Sequence, residues 1–164
     1  MPETVNEIVW KQFGASLDMM ENTLKACPED IWSGKSEFWY IAYHTLFYTD
    51  YYLSKDPSDF MPPEPYTLSE FDPEGIMPDR IYSKEELIHY LHFIKDKCRN
   101  RLLTDDLNDS ESRFIDSRKN FPTLEIMIYN IRHVHHHVGQ LNIWLRQHAN
   151  LPSRWVPQSL TELK

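Results

Sequence analysis

The chain has 164 residues, of which 41% are hydrophobic and 26% carry charge. These values are typical of a soluble globular protein and exclude a chain that is disordered along its length. We therefore predict a single domain over residues 1–164. Aromatic residues make up 13% of the chain, which indicates a core built largely from rings.

The charge balance excludes one class of partner. The chain has 25 acidic and 17 basic residues, a formal net charge of −8, and no block rich in Lys or Arg. Because nucleic-acid binding depends on cations that neutralise phosphates, we expect no nucleic-acid partner.

Further features of the sequence indicate the cellular location that we expect for the chain. The two cysteines, Cys27 and Cys98, form no CxxC motif, and a reducing cytoplasm is the expected setting. The first residues are acidic and precede no apolar run, so we expect no signal peptide. No stretch has the length needed to cross a bilayer, and we expect no membrane association.

The first two helices are predicted from apolar spacing. Apolar residues recur at helical intervals over residues 3–26, and Cys27-Pro28 should end that helix. A turn over residues 28–34 should follow, with the second helix opening near Ser36 and running to about Leu53. This second helix is apolar nearly all round, as expected of a helix buried among partners.

Residues 56–80 contain six prolines and a single glycine, which exclude a helix through this segment. An irregular connection of this length in a small domain usually has a function or is disordered. Its aromatic residues favour a segment that packs on the body of the protein. We predict that it forms a wall or rim of a pocket, because it follows the helix that carries His44.

Two further helices complete the predicted fold. Ser83 and Glu86 have the spacing of a capping box, and the third helix should run from there to about Leu103. Residues 104–120 should form a loop, and the fourth helix should run from Thr123 to 148–150. With no strand predicted, the fold class is all-α: a four-helix bundle with a long proline-rich connection between its second and third helices. Trp155 should tuck against this bundle.

Four of the eight histidines lie within residues 133–137, inside the fourth predicted helix. His133 and His137 are four residues apart, so they project from nearly the same face, offset by roughly 40°. That spacing lets two imidazoles bind one metal ion from a single helix. His136 lies roughly 60° to the other side of His133, whereas His135 should point to nearly the opposite face.

A third histidine, His44, is the only one in the second predicted helix. Its neighbours are so apolar that we expect it inside the bundle, where an imidazole needs a hydrogen bond or a metal. A core histidine bonded to a nearby tyrosine would satisfy the same requirement.

Two stretches of the chain resemble the DinB-like (damage-inducible) superfamily of proposed metalloenzymes. They are the sequence from Phe38 to Phe47 and the later motif His133-x-x-x-His137-x-Gly139-Gln140-Leu141. The turn from Cys27 to Trp32 is similar to that family's link between its first two helices. The resemblance covers most of the chain, with residues 56–80 matching least. It implies that one histidine of the second helix and two of the fourth hold a metal, and these correspond to His44, His133 and His137.

Three imidazoles would leave a coordination position open, as in catalytic rather than structural sites. Zinc or nickel is the expected metal. Iron and copper are further candidates, because imidazole ligands alone do not distinguish among these metals. The resemblance implies a metal-dependent enzyme acting on a small molecule, a thiol-dependent S-transferase or isomerase that uses a low-molecular-weight thiol. A hydrolase is the other expected class, because a water in the open position of the metal can become a nucleophile. Helical geometry adds residues that could orient a ligand or contact a substrate: Tyr40, Tyr48, Tyr129, Asn130 and Gln140.

Other interpretations stay open at this point. The chain could be a non-catalytic metal-binding or stress-response helical dimer, or a structural helical dimer whose histidines never meet. A homodimer is expected in each case, because exposed apolar positions on such bundles often pair. A metal position open to a cleft favours the enzyme, whereas histidines held apart by the packing favour the structural protein.

Overall fold

The computed structural model describes residues 2–34 and 37–164 and shows a mostly helical chain with a small two-stranded sheet. The described residues form helices α1 (Val5–Ala26), α2 (Glu29–Trp32), α3 (Phe38–Tyr52), α4 (Lys84–Thr104) and α5 (Thr123–Ala149), and strands β1 (Arg113–Ile115) and β2 (Asn120–Pro122). Across these two ranges, no helix is both long enough and apolar enough to span a membrane.

The helix ends follow from local chemistry. The predicted capping box of Ser83 and Glu86 is confirmed at the start of α4. A second capping box, from Thr4 and Glu7, places the start of α1 at Val5 rather than at residue 3. The long helix α5 ends at Ala149, because its cap Asn150 has a left-handed φ of 53° two residues before Pro152.

One predicted element differs from the structure, and one predicted boundary lies outside the residues that the structure describes. The turn predicted after Cys27 contains the one-turn helix α2, whose Trp32 is buried and donates its indole N–H to the carbonyl of Tyr82. The predicted start of the second helix near Ser36 lies outside the described residues. In the structure α3 begins at Phe38.

The long helices pack in a simple pattern. Helix α1 packs against α4 and α5, and α3 packs against the same two helices. The interior between them is filled with large rings, as the aromatic content predicts. The largest fully buried side chains include Phe13, Trp32, Phe38, Tyr43, Phe47 and Tyr90.

The proline-rich segment between α3 and α4 lies on the body of the protein. It contains two single-turn 3-10 helices, Pro57–Asp59 and Ser69–Phe71. Tyr66 is buried, stacks on the ring of Tyr90 at 4.1 Å between centroids, and donates its hydroxyl to the carbonyl of Glu86. These contacts hold the segment against α4.

The prediction of an all-α chain was wrong over residues 104–120. Strands β1 and β2 form an antiparallel hairpin in which Phe114 pairs with Phe121. Each strand has only three residues, so the alternation that identifies a strand in a sequence has no room to show. Phe114 packs edge-on against Tyr51 and Tyr52, which fixes the hairpin beside the end of α3.

The chain after α5 runs back along α1. The backbone amide of Ser159 donates to the carbonyl of Lys11, and the indole of Trp10 donates to the carbonyl of Thr161. A Cβ at Gly14 would lie 2.6 Å from Ser159 Oγ, so this close approach requires glycine. The prediction that Trp155 tucks against the helices was wrong, since 66% of this residue is exposed.

A buried charge links α3 to α4. Asp50 is fully buried. Its carboxylate forms an ion pair with the ammonium of Lys97 at 2.5 Å and accepts the hydroxyl hydrogen of Tyr90 at 2.9 Å. Burial raises the pKa of the Asp50 carboxyl above its usual range, although Lys97 acts in the opposite direction. The carboxylate therefore depends on Lys97 to remain charged.

Replacing Lys97 by Met should lower the free energy of unfolding by about 2–3 kcal/mol, because it leaves an uncompensated buried carboxylate. Urea unfolding measures this change. The variant Lys55→Met breaks a pair in which the lysine side chain is 64% exposed, and it should cost less than about 1 kcal/mol. Adding Asp50→Asn to Lys97→Met should recover part of the loss. An Lys97→Met variant as stable as Lys55→Met would contradict the prediction.

Candidate metal centre

Three histidines from two helices meet at one place. His44 on α3 and His133 and His137 on α5 each offer a ring nitrogen, and these nitrogens all lie within 4.8 Å of one another. The ring centroids of His133 and His137 are 4.8 Å apart, and those of His44 and His137 are 4.9 Å apart. The histidines predicted from helical spacing are thus brought together by the packing of α3 on α5.

Two of these rings are oriented by hydrogen bonds. Nδ1 of His44 lies 2.7 Å from a carboxylate oxygen of Glu70, and Nδ1 of His137 lies 2.7 Å from the side-chain oxygen of Gln140. Both acceptors favour a proton on Nδ1, which leaves Nε2 of each ring with its lone pair free. Histidine ligands of metals are commonly oriented in this way.

The third ring, that of His133, differs from the other two in its hydrogen bonding. Both nitrogens of His133 are buried, and neither has a hydrogen-bond partner within the described ranges. Burial, followed by the neighbouring His137 and His44, lowers the pKa of His133 to about 3. Burial also lowers the pKa of His137, against the opposing effect of its bond to Gln140. Near neutral pH, both rings are therefore uncharged.

Neutral imidazoles with free lone pairs are metal ligands, whereas an unpartnered buried nitrogen is costly on its own. The donor set therefore fits a metal ion, and His44, His133 and His137 could hold it. His44 is less enclosed than its apolar neighbours suggested, since 31% of its side chain is exposed. The cluster thus lies at the edge of the helices rather than deep between them.

An open cavity of about 710 Å³ borders this cluster. His44 and His133 form part of its lining, together with tyrosines of α3, residues of the proline-rich segment and the turn of the β-hairpin. From the segment come Glu70, Phe71, Asp72 and Pro73. The space is large enough for a small organic molecule.

The candidate neighbours predicted from helical geometry occupy different positions. Gln140 contacts His137, as described above. Tyr48 packs its ring 4.9 Å from that of His44 and donates its hydroxyl to the backbone carbonyl of Glu70. Tyr129 lines the same cavity. Burial and the nearby Glu70 charge raise the pKa of Tyr40 to about 12, so its hydroxyl keeps its proton.

Asn130 has a different role from these neighbours. It is fully buried and donates its amide to the backbone carbonyl of Thr49 at 3.0 Å. This bond ties α5 to α3 one turn before His133. Asn130 therefore helps to set the register that brings the histidines together.

The remaining histidines lie outside the cluster. His135 faces the chain after α5, with its ring 6.2 Å from that of Trp155. His136 is exposed and contacts the ring of His137 at 4.9 Å. His89 and His92 on α4 are exposed, and His92 lies 3.3 Å from a carboxylate oxygen of Glu21.

Sequence reasoning did not identify Glu70. Its side chain is 4% exposed, and its second carboxylate oxygen has no hydrogen-bond partner among the described residues. The only signal was its place between aromatic residues in a segment expected to pack near His44. No helical periodicity links the two positions, so the contact required the structure.

Comparison of the chain with protein-family models, with curated proteins and with solved structures gave no match. The arguments that follow therefore depend on the geometry of this chain.

Replacing Glu70 by Ala should weaken binding of a divalent metal roughly 10- to 100-fold, because His44 loses the acceptor that orients it. Glu70→Gln should retain most of the affinity, since the amide oxygen can accept the same hydrogen. Competition with a chromophoric chelator measures both. The exposed Glu74, in the same segment, supplies the control variant Glu74→Ala. An affinity that is equal in Glu70→Ala and Glu74→Ala would show that the Glu70 contact does not orient a ligand.

Proposed function

We propose that this chain is a metal-dependent enzyme acting on a small molecule, with His44, His133 and His137 as the ligands of one divalent ion. One observation carries the proposal. His133 has two buried nitrogens without partners, and it lies between two histidines whose Nε2 atoms are left free by their hydrogen bonds. A metal ion would coordinate one nitrogen of each ring, whereas a purely structural cluster leaves both nitrogens of His133 without a partner.

We propose that the fold is a DinB-like four-helix bundle formed by α1, α3, α4 and α5 within a single domain. Two of these helices, α1 and α3, each pack against the other two, which supports a bundle. In such bundles, metal sites are built from side chains on facing helices, and here the ligands come from α3 and α5.

The reaction class that we propose is transfer of a thiol or hydrolysis. When bound, a divalent ion held by three neutral imidazoles supplies a Lewis acid with an open coordination position. Glu70 and Gln140 orient two of the rings. The rings of Tyr48 and Tyr52 lie against His133, at 6.2 Å and 5.7 Å between centroids, and reduce its contact with water.

Two of the proposed ligands, His44 and His133, line the cavity together with these tyrosines, and the cavity admits a substrate. Tyr40 keeps its hydroxyl hydrogen at neutral pH, because burial and the nearby Glu70 raise its pKa to about 12. An open cavity beside the ligands favours turnover over mere storage of the ion.

Single replacement of His44, His133 or His137 by Ala should weaken metal binding more than about 100-fold, which exceeds the usual loss from an outer hydrogen-bonding partner. The measurement is elemental analysis of protein purified without a histidine tag, followed by chelator competition. His135→Ala is the matched control and should leave binding intact, because His135 faces Trp155. Loss of the metal from His135→Ala, with retention in His137→Ala, would overturn the ligand assignment.

The catalytic part of the proposal is tested on the same proteins with a panel of low-molecular-weight thiols and electrophiles, and with small esters and amides. Turnover should track the metal content across the variants. A fully metal-loaded protein that turns over none of these compounds would instead indicate a non-catalytic metal-binding protein.

Metal occupancy should fall as the pH is lowered, because a protonated imidazole is no longer a ligand. The pKa of His133 is lowered from 6.5 to about 3, and that of His137 is also lowered, so the metal should persist below pH 6.5. With three ligands, the loss should then be steep and near completion at about pH 3. Equilibrium dialysis gives the occupancy, and circular dichroism separates metal loss from acid unfolding. Full occupancy at about pH 2 would argue against histidine ligation.

A further inference from the structure

Two cations line the cavity beside the histidines. Lys119 and Arg118 lie in the turn of the β-hairpin and line the same space as His44 and His133. The side chain of Lys119 is only 15% exposed, and its ammonium lies 5.1 Å and 5.6 Å from the ring centroids of Tyr52 and Tyr129. Arg118 is exposed at the rim.

Asp116, in the same turn, pairs with one of these cations only at long range, since its carboxylate lies 3.5 Å from the Lys119 ammonium. Asp116 accepts the backbone amides of Arg118 and Lys119, both at 2.7 Å, and the hydroxyl hydrogen of Tyr51 at 3.3 Å. Its oxygens are thus engaged by the turn itself, and Lys119 reaches one of them only at 3.5 Å. The guanidinium of Arg118 makes no hydrogen bond or ion pair with the residues that the structure describes.

The other two acids of the cavity have partners other than these cations, although one oxygen of Glu70 has none among the described residues. Glu70 accepts from His44, and Asp72 accepts the backbone amide of Glu74 at 2.8 Å. Hydrogen-bond donors with spare capacity therefore lie in the hairpin turn that lines the cavity. Cations placed over aromatic rings in a partly enclosed space bind anions better than cations in open solvent do.

We propose that the substrate of this site is a small molecule with a carboxylate, which Lys119 and Arg118 hold while the rest of the molecule extends to the three histidines. This inference rests on the proposed function, because the histidine cluster is taken as the reacting end. The planar fork of Arg118 suits a carboxylate. With three carboxylates already in the lining, a single negative charge fits better than a phosphate dianion.

The test uses two probes of equal length that differ in charge, 3-mercaptopropionate and 3-mercaptopropionamide. Binding is measured by NMR titration of the zinc-loaded protein and of the protein freed of metal by chelation. The wild type should bind the carboxylate roughly tenfold more tightly than the amide, as expected for charge-assisted hydrogen bonds. Arg118→Gln combined with Lys119→Gln should reduce this preference below about threefold and leave binding of the amide unchanged.

Two variants control for charge and for folding. Arg146→Gln removes one positive charge from an exposed position on α5 outside this cavity, and it should keep the preference. Lys119→Arg retains the cation at the same place and should keep the preference too. Thermal unfolding will show whether a variant alters the hairpin. Because Lys119→Arg changes the side chain but keeps its charge, comparison with this variant separates the loss of charge from the loss of structure.

An equal affinity of the wild type for both probes would overturn the proposal, as would a carboxylate preference unchanged in the double variant. Failure of the metal site gives a different result. In that case the protein takes up no metal, while the metal-free form still prefers the carboxylate and loses that preference in the double variant. The anion site would then stand without the metal chemistry.

Discussion

The desolvation of His133 is the constraint around which the candidate site is arranged. Its ring lies between α3 and α5 with both nitrogens withdrawn from water, and the rings of Tyr48 and Tyr52 contribute to that enclosure. Burial of an imidazole without a partner opposes folding, and keeping it neutral reduces that penalty but does not remove it. The neighbouring His44 and His137 lie close to this ring, so the three imidazoles form a set of converging nitrogen donors.

The donors converge because α3 and α5 are held in register by contacts away from the cluster. The amide of Asn130 bonds to the backbone of α3 one turn before His133, and the hairpin packs Phe114 against the tyrosines at the end of α3. The hairpin also brings Lys119 to the wall of the same cavity. A single packing arrangement thus positions both the three histidines and the cations that could bind a substrate.

Helical periodicity predicted much of this arrangement, and the reason is physical. Four residues make about one turn, so His133 and His137 had to share a face, and His44 was the only histidine in a helix apolar all round. Positions outside helices carry no such rule. Glu70 reaches His44 from an irregular segment, and strands of three residues are too short to show alternation, so the hairpin that carries Lys119 was predicted as a loop. The exposure of Trp155 depends on the path of the chain after α5, for which the sequence contains no periodic signal.

The chain after α5 has a consequence for how the molecule can be altered. Residues 159–161 contain no regular secondary structure, yet they lie on α1 so closely that Gly14 cannot carry a side chain. Trp10 uses a carbonyl of this tail as its hydrogen-bond acceptor. Residues 159–161 therefore act as a covering layer of α1. Their removal would expose a tryptophan whose indole N–H has lost its acceptor.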